Sequence, residues 1–115
     1  MMIWQSLQQY YVAVTGSALT GLSIPEIQTI RDMSVQPAAR VRAIGCNVNF
    51  KFGDDTVLAS ATVTASKLPV GNINIAEGAI EIFNITQSQN YISTISDDAT
   101  STGNLWVDIG YFIST

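Results

Sequence analysis

Asn104-Leu105-Trp106-Val107-Asp108-Ile109-Gly110-Tyr111-Phe112-Ile113-Ser114 alternates Leu, Val, Ile, Tyr and Ile with Trp, Asp, Gly, Phe and Ser. Successive side chains of a strand point to opposite faces, so a period of two over eleven residues predicts a long β-strand. Both of its faces carry bulky groups, with Trp106 and Phe112 on one side. A second clean alternation lies upstream, in Cys46-Asn47-Val48-Asn49-Phe50-Lys51-Phe52. Cys, Val, Phe and Phe are expected inside there and Asn, Asn and Lys in water, as in an antiparallel sheet with one wet face.

Between and around these two stretches the same signals recur. Ala38–Ile44, Thr56–Thr64, Ala79–Ile85 and Asn90–Ser96 read as strands. Gly53-Asp54-Asp55, Leu68-Pro69-Val70-Gly71, Glu77-Gly78 and the run Asp97–Gly103 read as turns. Turns at intervals of about 8 to 12 residues predict an all-β fold, an antiparallel β-sandwich or jelly-roll-like barrel of about six to eight strands. Residues 1–25 read as an N-terminal arm and loop, and residues 26–115 as a single β-sandwich domain. Ile3, Leu7, Tyr10 and Tyr11 fit a helical stripe, while Tyr11–Thr15 fits a strand. Met1, Met2, Ile3 and Trp4 are expected to dock on their own domain or on a neighbour, because so apolar an end is costly to leave in water. Ser23-Ile24-Pro25-Glu26 has the spacing of a capping box, with Ile27 and Ile30 continuing helically; a loop followed by a strand is the other reading.

Composition narrows the function classes. The 115 residues include 12% charged and 47% hydrophobic, against about 25% charged in an ordinary domain. Ser, Thr, Asn and Gln fill the deficit with 36 residues. Burying amides and hydroxyls against a partner costs far less than burying unpaired charges, so such a surface suits a packed array or a binding face. It equally suits a β-rich chain whose strands use Thr and whose turns use Ser and Asn.

The net charge of −4, with five basic residues, argues against nucleic acid and anionic membranes as partners. Arg40 and Arg42 are two apart in a predicted strand and share a face, where they could meet one anionic partner or simply be solvated. Arg31 is the first basic residue, which gives no positive n-region for a secretory signal, and no run is apolar for the ~18 residues of a membrane span. A soluble chain folded in the cytoplasm is expected, a mature exported chain trimmed of its signal being the other reading, with the lone Cys46 a buried hydrophobe.

No reaction is announced. Without histidine the common Ser-His and Cys-His pairs are unavailable, and one cysteine cannot build a zinc site. Ser66 and Lys67 are neighbours and would face opposite ways on a strand. Asp54-Asp55 and Asp97-Asp98 could be read as calcium ligands, but each sits at a turn, where Asp caps backbone amides. No cofactor motif is present, and no catalytic residue is assigned. Trp4, Trp106, Tyr10, Tyr11, Tyr91 and Tyr111 could form a sugar-stacking platform or belong to core and interface.

A family resemblance supplies a use. Pro37–Ala43 with its Arg40-Val41-Arg42, then Asn49–Asp54, Leu68–Gly71, Ala79–Phe83, Tyr91–Ser93 and Thr102-Gly103-Asn104-Leu105-Trp106-Val107 resemble, over roughly residues 37 to 110, the layout of small virion proteins of tailed bacteriophages. The resemblance implies a non-enzymatic structural β-sandwich present in many copies on a virion assembled in the host cytoplasm. A capsid decoration or cement protein is expected, with a head-tail connector, a tail component or a carbohydrate-binding module as alternatives. Its partners would be the major capsid protein, other virion proteins or copies of itself. The expected interface residues are Met1, Ile3, Trp4, Leu7, Tyr10 and Tyr11 of the arm, with Arg40 and Arg42.

Overall fold

The computed structural model describes residues 1–60, 72–86 and 89–114. Among the described residues eight strands and one helix follow in order: β1 (Met2–Val14), β2 (Leu22–Ser23), α1 (Glu26–Asp32), β3 (Ala38–Ile44), β4 (Val48–Gly53), β5 (Ile73–Ile75), β6 (Ile80–Asn84), β7 (Tyr91–Ser96) and β8 (Gly103–Ser114). They form two four-stranded antiparallel sheets, ordered β1-β8-β3-β6 and β2-β7-β4-β5. The pairs β1·β8, β2·β7, β3·β6 and β4·β5 nest inside one another like a long hairpin wound around a core, which is the jelly-roll arrangement. The all-β sandwich read from the turn spacing is the observed fold.

The alternations predict the core correctly. Ala39, Val41, Ala43, Leu105, Val107 and Ile109 from one sheet meet Val48, Phe50, Phe52, Ile75 and Ile92 from the other. Phe50 is fully buried and packs edge-on to Phe52 (6.0 Å between centroids) and Phe83 (5.6 Å), the geometry favoured by aromatic quadrupoles. Ile27 and Ile30 plug α1 into the same core, and Ile24 does so just before it. The helical reading of this stretch therefore holds, but the capping box does not form. Ser23 is tied into β2, Pro25 stands at the N-cap with no side-chain bond, and burial of the isoleucines holds the turn. No described helix is long and apolar enough to cross a membrane.

Several expectations need correction. The stretch read as an arm is the first strand of the sandwich: β1 pairs with β8 from Met2↔Ser114 to Val14↔Gly103, and β2 also precedes residue 25. The backbone of the apolar end thus pairs with its own sheet, while the Met1, Met2 and Ile3 side chains stay exposed. Asn49, expected in water, is 1% exposed, because residues 57–60 lie across the outer face of the second sheet. Its amide donates to the Ser60 carbonyl (3.0 Å) and its Oδ1 accepts from Asn74 Nδ2 (2.6 Å), which offsets the burial. Residues 56–60 form no strand; the rest of that predicted strand, the Ser66-Lys67 pair and the Leu68–Gly71 turn lie outside the described residues. The short strands β2 and β5 were not predicted.

Candidate functional site

Most of one sheet face remains open. A β-bulge between Ser6 and Gln8 leaves Leu7 unpaired and changes which residues of β1 look outward. Before the bulge these are Trp4 and Ser6, opposite Phe112 and Gly110; after it they are Gln9 and Tyr11, opposite Asp108 and Trp106. The register continues across β3 and β6, so Tyr11, Trp106, Arg42 and Ile80 form one row and Gln9, Asp108, Arg40 and Ile82 the next.

Asp108 stands at the centre of this face and is fully buried. Its Oδ2 accepts from Arg40 Nη2 and from Trp4 Nε1, both at 3.0 Å, and its Oδ1 accepts a short bond from the Ser6 hydroxyl. The Arg40 guanidinium lies over two indoles, 5.8 Å from the Trp4 ring centroid and 5.3 Å from that of Trp106. Its Nε is buried without a hydrogen-bond partner, a cost that the ion pair and the two cation–π contacts offset. Trp4 also meets Phe112 edge-on at 5.1 Å. Gly110 allows this assembly: a Cβ there would fall 2.1 Å from the Gln5 carbonyl oxygen and 2.9 Å from the Trp4 ring. The result is a rigid aromatic and guanidinium platform on strands, with the charges of Arg40 and Asp108 cancelled within it.

Beside the platform runs a shallow groove of about 430 Å³, lined by Gln9, Tyr11, Arg42, Ile80 and Trp106 among others. Trp106 Nε1 donates to Gln9 Oε1 at 3.3 Å. Tyr11 is 71% exposed and Ile80 56%. Arg42 is exposed and has no hydrogen-bond or ion-pair partner among the described residues. In a larger hollow of about 640 Å³ the Arg31 and Gln36 side chains are already engaged. There Arg31 donates to the Thr86 carbonyl (2.9 Å) and to Asn90, and Gln36 Nε2 to the Ile85 carbonyl (2.8 Å).

The expected interface residues thus divide. Trp4, Tyr11, Arg40 and Arg42 come together on the outer face. Met1, Ile3 and Leu7 are exposed along the free edge of β1 and its overhanging tip. Tyr10 is turned inward, donating a short hydrogen bond to Glu26 of α1; burial first, then this bond and the carboxylate's charge, raise its hydroxyl pKa well above the ordinary value. Nothing local in the sequence marks Asp108, Gln9 and Ile80 as site residues, since only the register between strands brings them to Arg40 and Trp106.

The remaining candidates are structural. Asp98 Oδ1 accepts from the Thr100 amide and hydroxyl (both 3.0 Å), and Asp54 Oδ1 from those of Thr56 (2.9 and 2.6 Å). These bonds hold both carboxyls below the usual carboxylate range. Burial pushes the Cys46 thiol up, with the Asp97 and Glu77 charges adding and a Ser96 hydrogen bond opposing.

No family model matches the chain, and no curated protein matches it in sequence. Among solved structures, the disulfide-linked pili of Bacillus endospore appendages align at 16% identity with a TM-score of 0.46, over 98% of this chain and 89% of that one. The Tobacco streak virus coat protein dimer aligns at 10% identity with a TM-score of 0.45, over 96% and 84%. Neither likeness assigns a function to this chain.

Proposed function

We propose that the chain is a non-enzymatic structural subunit of a viral particle, of the capsid-decoration kind, that joins copies of itself through the edge of β1. The virion setting rests on the resemblance over residues 37 to 110, and the observation that carries the self-association is the chemistry of that edge. Proteins protect exposed sheet edges with lysine, proline or a covering segment. β1 has thirteen residues without a charge or a proline, and the first charged side chain in the chain is Glu26. Among the described residues only its C-terminal end is closed, where the Ala13 carbonyl accepts from Thr94 Oγ1 (2.8 Å) and, just past the strand, the Thr15 carbonyl from the Ser96 amide (2.8 Å). Over Met2–Tyr11 no described strand covers it, and the Gln9 amide meets only the side chain of its neighbour Gln8, at 3.1 Å. A second strand laid along this edge would satisfy backbone groups over about 30 Å.

The scarcity of charge and the absence of histidine support a packing role over a catalytic one. Ile3 and Leu7 are 41% and 43% exposed, so lysine is tolerated there without disturbing the core. Sedimentation of the parent over a wide concentration range should detect a closed oligomer, and Ile3→Lys/Leu7→Lys should be a folded monomer by circular dichroism and sedimentation. A variant that associates as the parent does would refute the edge contact.

A further inference from the structure

We infer that the groove between Tyr11, Trp106, Arg42 and Ile80 is a binding site for an acidic saccharide, a short oligosaccharide bearing carboxylates. The row runs across four adjacent strands, one residue from each. Neighbouring strands are about 4.8 Å apart, so it extends for about 14 Å, enough for a short run of sugar rings. Tyr11, 71% exposed, presents aromatic surface to the apolar faces of sugars; half-buried Trp106, whose ring also carries the Arg40 guanidinium, flanks it, and Gln9, bonded to the Trp106 indole, sits where hydroxyls would arrive.

Charge selects the acidic members of that class. The charged residues on the outward positions of these four strands are Asp108, Arg40 and Arg42. Asp108 and Arg40 cancel at 3.0 Å, which leaves the Arg42 guanidinium as the uncompensated charge on the face of a chain whose net charge is −4. A guanidinium fork matches a carboxylate with two parallel hydrogen bonds, and such charge-assisted bonds are the strong ones. The face is preorganised because Arg40 is clamped between Trp4 and Trp106 by its pair with Asp108. Tyr11 and Gln9 also belong to β1, but they offer their side chains to the sheet face while the edge contact uses the backbone, so each proposal can fail without the other.

The test is titration of the full chain with trigalacturonate, its methyl ester, sialyllactose and a hyaluronan tetrasaccharide, followed by tryptophan fluorescence and calorimetry. The expected result is a saturable response to at least one acidic sugar, weakened at least tenfold in Arg42→Gln and in Tyr11→Ala. Both side chains are exposed, so both variants should keep the parent's melting temperature. If trigalacturonate is the ligand, its methyl ester should bind at least tenfold more weakly than the acid. A response retained in Arg42→Gln would overturn the proposal, as would silence toward every acidic sugar at millimolar concentration. Binding of poly-glutamate without binding of any sugar would also overturn it, in favour of an acidic protein segment.

Discussion

Replacing Asp108 with alanine removes the anion on which three donors converge. The Arg40 guanidinium, the Trp4 indole N–H and the Ser6 hydroxyl all lose their acceptor. Breaking a buried pair by removing one partner costs about 3–5 kcal/mol, because the other charge stays behind. Here Asp108 is fully buried while the Arg40 side chain keeps 37% exposure, so water repairs part of the loss and the lower end, about 3 kcal/mol, applies. For a chain of this length that corresponds to a melting temperature lower by roughly 12 °C.

Asp108→Asn separates charge from shape. The amide can turn its oxygen to Arg40 and Trp4 and donate through its nitrogen to the Ser6 oxygen, so only charge assistance is lost, about 1–1.5 kcal/mol. Urea unfolding followed by tryptophan fluorescence reads both variants, since Trp4 and Trp106 flank the site. The reasoning is refuted if the alanine variant lies within about 0.5 kcal/mol of the parent, the range of an ordinary surface change, or if asparagine costs as much as alanine.

Asn49→Ala should destabilise by about 2–3 kcal/mol in the same assay, since it leaves the Ser60 carbonyl and the Asn74 amide without this partner; a neutral result would mean water replaces both bonds. Cys46, 5% exposed and with its thiol pKa raised chiefly by burial, should react with a thiol reagent at mildly alkaline pH only as fast as the protein opens. Prompt labelling of the native chain would contradict that. Asp54 and Asp98 have lowered folded-state pKa values, so their contribution is present above the unfolded value of about 3.9 and is lost as pH falls through the folded one. Asp54→Asn/Asp98→Asn should therefore lower stability at neutral pH and flatten its acid decline below about pH 4, with an unchanged acid limb as the contrary result.

What was legible in the sequence was the part written with a local period. β4 and β8 could be read from alternation, and with them most of the core, because each strand is half buried over many residues. β2 and β5, with two and three residues, are too short to establish a period. Alternation alone puts Asn49 in water, because what covers it arrives eleven residues later in the chain. The bulge at Leu7 is invisible in composition, yet it decides that Tyr11 looks out and Tyr10 looks in. Because β1 is a strand of the sandwich, removing residues 1–11 would uncover β8 instead of trimming an arm. The strand period puts Arg40 with Arg42, and Trp106 with Phe112, on common faces, but the pairing of Arg40 with Asp108, 68 positions away, follows only from the register of β3 against β8.

Amide hydrogen exchange along β1 at low and high protein concentration tests the proposed edge most directly. The account predicts slow exchange throughout β8, with outward-facing amides between Met2 and Tyr11, Gln9 among them, becoming protected as concentration rises. Exchange of those amides that stays fast and independent of concentration, in a chain that remains monomeric, would contradict it.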